Sequence, residues 1–137
     1  MLQRVRKDDG VTKIGGATAI LHLGPHDGPL IEAPSLFYKH GVYFLFFSSN
    51  CFSTDLYDIS YATATNIDGQ YVKASVPLMQ TKDGKVKAPG GADVNRSGSL
   101  IAFHGTVGTN VPGKLVRNMY TAIAVNGRQI GLQRMIS

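Results

Sequence analysis

The segment GVYFLFFS, residues 41–48, decides the fold class, because it joins the most apolar run of the chain to aromatic and β-branched residues that favour extended backbone. A glycine precedes it and polar residues follow it, which are the boundaries expected of a single strand. Its wholly apolar part is far shorter than the roughly 20 residues that a membrane-spanning helix needs. The segment therefore predicts a buried strand in a soluble globular chain that does not enter a membrane.

Short runs with a period of two, separated by turn signals, extend in both directions from this strand. Of nine acidic residues only Glu32 is a glutamate, and helix surfaces normally use glutamate freely, so an all-β, antiparallel chain is expected. The sequence Asn126-Gly127 is the strongest hairpin signal. The predicted strands cover residues 11–23 (one long strand or a pair), 32–38, 42–48, 57–65, 71–79, 92–95, 100–104, 116–125 and 129–136.

The later strands form two successive groups of about four, and such groups resemble two blades of a β-propeller. The 137 residues are the size of one domain. We interpret residues 1–137 as a single partial propeller domain with blade-like units at about 30–80 and 88–136, and with a flexible segment at 1–10. A β-sandwich of about nine strands has nearly equal support from periodicity alone.

Charge and cysteine content exclude several classes of protein. The net charge of +5 comes from basic residues in small, scattered groups, which favours solvated loops and makes nucleic-acid binding an unlikely alternative. Cys51 is the only cysteine, so an internal disulfide is impossible, and a buried, inert thiol is the expected state. The first ten residues are polar and lack the apolar core of a signal peptide.

The segment DGPLIEAPSLF at 27–37 is followed by GVYFLFFSSN at 41–50. Together they resemble the general-acid region of glycoside hydrolase family 43, the family of arabinanases, arabinofuranosidases and β-xylosidases. The order and spacing are similar to those of fungal-type members, and the resemblance covers nearly all of the chain from about Val11. It continues through YDISYATA at 57–64, APGG at 88–91, IAFHG at 101–105 and RNMY at 117–120.

This resemblance implies the C-terminal part of a five-bladed propeller that hydrolyses arabinose- or xylose-containing glycosides with inversion and without a nucleotide or redox cofactor. Glu32 then corresponds to the catalytic general acid. The family's base and its orienting aspartate lie upstream of that glutamate, where this sequence offers only Asp8, Asp9 and Asp27. We therefore expect an incomplete site, and an isolated chain that is weakly active or inactive. Family resemblance implies secretion, with a cytoplasmic location as the alternative.

Four further residues are candidates for substrate binding. Arg117 matches a family arginine that reaches the substrate or the base, Phe52 could stack on a sugar ring or plug the junction between blades, and Asn50 belongs to the same loop. His104 is either a substrate contact or a satisfied structural histidine. The family's central calcium is doubtful, because Gly90-Gly91-Ala92 replaces the histidine that normally follows Pro-Gly, and we assign no metal ligand.

Two functional classes remain open at this stage. One is a glycosidase or glycosidase remnant that acts on hemicellulose, and the other is a non-catalytic, lectin-like protein that binds arabinose- or xylose-containing oligo- or polysaccharides. A propeller sector leaves blade edges unpaired, so we also expect a homo-oligomer.

Overall fold

The computed structural model describes residues 1–83, 86–107, 117–125 and 129–131, and its described strands form two four-stranded antiparallel sheets. The first sheet has the order β1-β2-β3-β4. Its strands are β1 (Ile31–Lys39), β2 (Val42–Ser49), β3 (Asp58–Ala64) and β4 (Val72–Lys73). Each strand pairs with the next one in the chain, as in a simple meander.

The second sheet repeats this arrangement in the order β5-β6-β7-β8. A short 3-10 helix at Thr81–Asp83 precedes it. Its strands are β5 (Lys87–Val94), β6 (Leu100–Thr106), β7 (Arg117–Val125) and β8 (Gln129–Gly131). In the parts of the chain that the structure describes, no helix has the length and apolarity to cross a membrane.

An apolar core lies between the two sheets. On β2 and β3, the pairs Phe46–Tyr61 and Ser48–Ile59 place alternate side chains on the face that meets the second sheet. Hydrogen bonds also join the sheets, from the amide of Gly91 to Ser48 Oγ at 2.8 Å among others. The buried residues of this core are Ile59, Met79, Ala92, Ile101, Phe103 and Tyr120.

The opposite face of the first sheet is covered by the segment that precedes β1. Leu45 and Phe47 pack there with Ile20 and Tyr71. The prediction of a strand or strand pair at residues 11–23 is wrong, because this segment forms only isolated bridges such as Leu2–Thr18. Glycines 10 and 15, with φ of 69° and 65°, turn the backbone out of the extended region.

Two other strand predictions differ in extent from the structure. The outer strand predicted at 71–79 shortens to Val72–Lys73 with a single bridge at Met79, since Pro77 has no amide for a continuous ladder. The short strand predicted at 92–95 extends back to Lys87, because bulges accommodate the Pro-Gly-Gly sequence. The predicted Asn126-Gly127 turn and the end of the last strand lie outside the described residues.

The first strands of the two sheets, β1 and β5, begin with the same backbone conformation. In the first sheet Glu32 is followed by Ala33 and Pro34, and in the second sheet Lys87 is followed by Ala88 and Pro89. Both alanines have positive φ, 51° and 47°, and a register shift follows in each strand. Non-glycine residues in this region are strained by about 1–3 kcal/mol and concentrate at functional sites. The two blades therefore repeat a backbone conformation that is not apparent from their side chains. The repeated conformation lies at the end of the sheets that contains Glu32.

Candidate functional site

Glu32 lies at the start of β1, opposite Ser48 of β2, immediately before a bulge. A bulge at a strand end turns the side chains beside it away from the regular pleat. Because Ser48 is on the face that meets the second sheet, the glutamate extends from that same face, and it is exposed to solvent. The acidic residue is therefore accessible at the end of the seam between the two sheets.

Tyr57 fixes one oxygen of this carboxyl. The tyrosine precedes β3 and is only 2% exposed, and its hydroxyl donates a hydrogen bond of 2.6 Å to Glu32 Oε1. Burial, followed by this hydrogen bond to the carboxylate, raises the pKa of Tyr57 to about 12. The hydroxyl therefore keeps its proton, and remains a donor, throughout the neutral range.

His104 and Arg117, which both belong to the second sheet, pack against the ring of Tyr57. The imidazole of His104 lies nearly parallel to the ring, with 6.2 Å between centroids and 9° between planes. The guanidinium carbon of Arg117 lies 5.1 Å from the centroid of the same ring, a favourable cation–π geometry. Three elements, the loop before β3, β6 and β7, thus converge on one aromatic side chain.

The tautomer of His104 follows from its neighbour. Arg117 Nη1 donates to His104 Nδ1 at 2.7 Å, and guanidinium is a donor only, so Nδ1 must be the accepting nitrogen. Burial, with the positive charge of Arg117 as the second cause, lowers the pKa of His104. The histidine is therefore neutral near pH 7, with its proton on Nε2.

Two glycines make this packing possible. A Cβ atom added to Gly90 would lie 1.8 Å from Cε1 of Tyr57, and one added to Gly91 would lie 2.5 Å from Nε2 of His104. Gly91 also has a φ of 62°, which side chains rarely adopt. The Gly-Gly pair is thus needed for the close approach of the second sheet to the tyrosine and histidine rings, and nothing in its surroundings suggests a phosphate loop.

The structure brings three of the five predicted site residues into this group, namely Glu32, His104 and Arg117. Phe52 joins through its backbone, whose carbonyl accepts from Arg117 Nη2. Its side chain is 50% exposed, so the alternative that it plugs the junction between blades is wrong. Asn50 instead directs its amide to Asp58 Oδ2, at 3.3 Å, so its contact with substrate remains a prediction.

A second polar group lies behind Asn50 and includes buried carboxylates. Asp27 is 5% exposed and forms an ion pair with Lys73, while its backbone carbonyl accepts from the amide of Asn50 at 2.7 Å. Asp58 accepts from Ser49 with both oxygens at 2.9 Å. Burial raises the pKa of Asp58 despite these donors. This group ties the segment before β1 to the first sheet.

The acidic residues upstream of Glu32 all have structural partners. Asp8 pairs with Arg6, and Asp9 accepts from the amide and hydroxyl of Thr12 in an exposed turn. Asp27 is held by Lys73. Asp8 and Asp9 are therefore engaged in contacts within their own segment, and Asp27 is engaged in an ion pair with the first sheet.

The residues around His104 do not fit the family's central calcium. Calcium prefers a shell of oxygen ligands, whereas Nδ1 of His104 accepts from a guanidinium cation and Nε2 faces Gly91. Among the described residues, no group of three histidine, cysteine, aspartate or glutamate side chains could hold a metal ion. We therefore derive no chemistry through calcium.

Sequence reasoning missed the role of Tyr57. It begins the strand predicted at 57–65, in a segment that resembles the family, but it carries no titration or nucleophilic signature in the sequence. The available signal was the Gly90-Gly91 pair, since adjacent glycines within a strand indicate that another group approaches the backbone closely.

Solved structures with the same fold define the class of architecture. A thermostable family-43 glycoside hydrolase superposes with a TM-score of 0.73 at 22% identity, covering 98% of this chain and 48% of that chain. An exo-1,5-α-L-arabinanase from a bovine ruminal metagenomic library gives a TM-score of 0.69 at 16% identity, covering 96% of this chain and 48% of the other. The all-β, antiparallel, partial five-bladed propeller is confirmed, and the β-sandwich alternative is not needed.

Sequence comparison identifies the family. The model for glycosyl hydrolases family 43 matches residues 1–136, so the chain belongs to that family. The extracellular endo-α-(1→5)-L-arabinanase 1 of Bacillus subtilis is 27% identical over 114 aligned residues, with coverage of 75% of this chain and 35% of the relative. The chain thus spans about a third to a half of the length of these relatives. The resemblance to fungal-type members finds no support among them.

Proposed function

We propose that this chain carries the general-acid part of a family 43 glycosidase site for arabinose- or xylose-containing glycosides of hemicellulose. Glu32 is the proton donor. The observation that carries the proposal is its position, exposed at the end of the seam between two blades, with one carboxyl oxygen held by a buried tyrosine and the other without a protein partner among the described contacts. Family membership and the arabinanase relative support the substrate class.

Inverting hydrolysis requires two carboxyl groups roughly 6.5–9.5 Å apart. The protonated one gives its proton to the leaving glycosidic oxygen as the bond from that oxygen to the anomeric carbon breaks. The second takes a proton from the water that attacks this carbon from the opposite face. Because Asp8, Asp9 and Asp27 are engaged elsewhere, we propose that the second carboxylate is supplied from outside these 137 residues or by another copy of the chain.

The 137-residue polypeptide alone should therefore hydrolyse natural glycosides weakly or not at all, since a positioned acid or base contributes roughly 10²- to 10⁴-fold each. A small anionic nucleophile such as azide can replace the missing water-activating group by attacking the anomeric carbon directly. We expect azide-dependent cleavage of arabinosides and xylosides that have a poor, alkoxide-like leaving group, because only these need a proton from Glu32.

The matched control is Glu32→Gln, which keeps the shape and the hydrogen-bond acceptor but cannot donate the acidic proton. Azide-dependent cleavage should disappear in this variant with alkoxide leaving groups and persist with nitrophenolate, which leaves without protonation. Equal rates for the wild type and the variant with alkoxide leaving groups would exclude Glu32 as the acid.

Non-catalytic carbohydrate binding is the second candidate function. It is favoured by the internal engagement of all three upstream carboxylates and by the half-exposed ring of Phe52, which is available to stack on a sugar. Retention on arabinan or xylan in affinity electrophoresis, without release of reducing ends and without any azide effect, would support this candidate. The variant Phe52→Ala should then lose retention.

We also propose that the chain self-associates and is secreted. Leu36 and Tyr38 of the edge strand β1 are 43% and 56% exposed on the sheet face opposite the second blade, and a neighbouring sheet would bury them. Static light scattering at micromolar concentration should show a mass above that of one chain, and a monomer would exclude self-association. Secretion is supported only by the extracellular arabinanase relative, and detection of the protein solely inside the producing cell would exclude it.

A further inference from the structure

The two oxygens of the Glu32 carboxyl have different surroundings, and we propose that Tyr57 is the positioning residue that makes them different. The tyrosine hydroxyl occupies Oε1 at 2.6 Å. The acidic proton is therefore carried and donated by Oε2. This inference rests on the proposed role of Glu32, and it adds a residue and an atom to it.

The tyrosine is held tightly enough to impose one orientation on the carboxyl. Its ring is almost fully buried, it stacks on His104, and it lies beneath the guanidinium of Arg117. On the remaining side the backbone of Gly90 approaches so closely that even one added methyl group would overlap the ring. The restrained ring holds its hydroxyl in place, and this hydroxyl gives an exposed glutamate the fixed reference point that proton transfer requires.

The direction of the hydrogen bond follows from the chemistry of the partners. Among the described hydrogen bonds the phenol donates to Glu32 Oε1 at 2.6 Å, and the nearby hydroxyl of Ser48 acts in the opposite direction, lowering the pKa of Tyr57 as a donor to the phenolic oxygen. With its pKa raised to about 12, mainly by burial, the phenol stays protonated at any pH at which a glycosidase operates. The carbonyl oxygen of a carboxylic acid is a stronger acceptor than its hydroxyl oxygen, so a bond received on Oε1 favours the acid proton on Oε2.

Proton transfer then involves a single defined atom. The O–H bond at Oε2 breaks as the glycosidic oxygen gains that proton, and the electron pair of the bond between the anomeric carbon and this oxygen goes to the leaving group. The resulting carboxylate keeps the hydrogen bond from Tyr57, which stabilises the negative charge that forms. Tyr57 neither gains nor loses a proton in this step.

The experiment uses the fact that Glu32 is the only glutamate, so [5-¹³C]glutamate labels a single carboxyl in the whole chain. We expect Tyr57→Phe, which keeps the ring and removes the hydroxyl, to move this carboxyl resonance at constant pH and to broaden it as the side chain samples several orientations. The matched control is Tyr71→Phe. This tyrosine is also buried, and its hydroxyl bonds to the carbonyl of Ile67 at 3.2 Å, so its loss should leave the Glu32 resonance in place.

An unchanged Glu32 resonance in a folded Tyr57→Phe variant would overturn the proposal. If that variant does not fold, the reciprocal measurement uses Glu32→Gln, which changes an exposed side chain. The ¹³Cζ resonance of Tyr57 must then move, and its failure to move would overturn the proposal equally. Neither measurement involves a sugar. A shifted resonance combined with a failed azide experiment would retain the hydrogen bond and reject the glycosidase function.

Discussion

Replacing Gly90 with alanine should damage the site more than its small size suggests. The added Cβ would lie 1.8 Å from Cε1 of Tyr57, whereas ordinary contacts begin at 3.4 Å, so the ring must retreat by the difference, about 1.6 Å. The hydrogen bond to Glu32 is 2.6 Å long and cannot survive such a displacement, because N–H and O–H donors lose their bonds beyond about 3.2 Å. Gly90 does not have positive φ, so the effect is steric and does not come from backbone strain.

The energy follows from the same contacts. Overpacking of this kind costs about 1–3 kcal/mol, and the lost hydrogen bond to a charged group adds up to about 1.5–3 kcal/mol. The alanine recovers about 0.4–1 kcal/mol by restricting the unfolded chain. We therefore expect a net loss of about 1.5–5.5 kcal/mol in the free energy of unfolding, to which overpacking and the lost hydrogen bond contribute comparably.

Urea denaturation measures this loss, and Gly16→Ala is the matched control. A Cβ at Gly16 meets nothing within 4 Å, and its φ is not positive, so this variant should be neutral or slightly more stable than the wild type. With a urea dependence of about 1–3 kcal/mol per molar, the Gly90→Ala midpoint should fall by about 0.5 M or more. The reasoning is refuted if the two variants denature at the same urea concentration, or if Gly90→Ala leaves the labelled Glu32 resonance unmoved.

Two further predictions concern ionisation. Burial, and then the charge of Arg117, lower the pKa of His104 in the folded chain. The unfolded chain therefore binds more protons than the folded chain, and the contribution of His104 to stability is lost as the pH falls below about 6.5. His104→Asn should flatten this part of the stability profile measured between pH 7.5 and 5, and an unchanged slope would contradict the assignment. Lys73→Met should cost about 3–5 kcal/mol, since it leaves the buried carboxylate of Asp27 unpaired, and the double variant with Asp27→Asn should recover part of this loss. Strictly additive losses in thermal denaturation would mean that the two side chains do not interact.

The sequence predicted the fold better than the site. Alternation and turn signals located all eight strands that the structure describes, two of them with a different extent, because their period is a local property that burial of one face enforces. They failed at residues 11–23, where the apolar residues satisfy a strand pattern but Gly10 and Gly15 interrupt the extended backbone. The apolar residues of this segment pack against the first sheet without forming a ladder of backbone hydrogen bonds. Local pattern cannot distinguish a strand from an extended covering segment.

The site was predictable only where a motif carried it. Glu32 and Arg117 stand in segments that resemble the family, whereas the role of Tyr57 depends on contacts across 25 residues to the glutamate and across the two sheets to His104. No period or spacing encodes such a contact. Its one local trace is Gly90, whose missing side chain is the space that the tyrosine ring occupies.

The position of Tyr57 couples the carboxyl of Glu32 to the packing of the two blades. Glu32 belongs to the first sheet, and the groups that restrain the tyrosine ring, His104 and Arg117, belong to the second. On the proposed role of Tyr57, contacts between the sheets orient the exposed carboxyl, so we expect a change that separates the sheets to release it. The buried core that includes Phe103 holds the two sheets together. Through the position of the sheets, this core also influences the geometry of Glu32 at the surface. For the same reason, we expect the first sheet alone to retain Glu32 and Tyr57 but to lose the fixed orientation that the proposed proton donation from one defined oxygen requires.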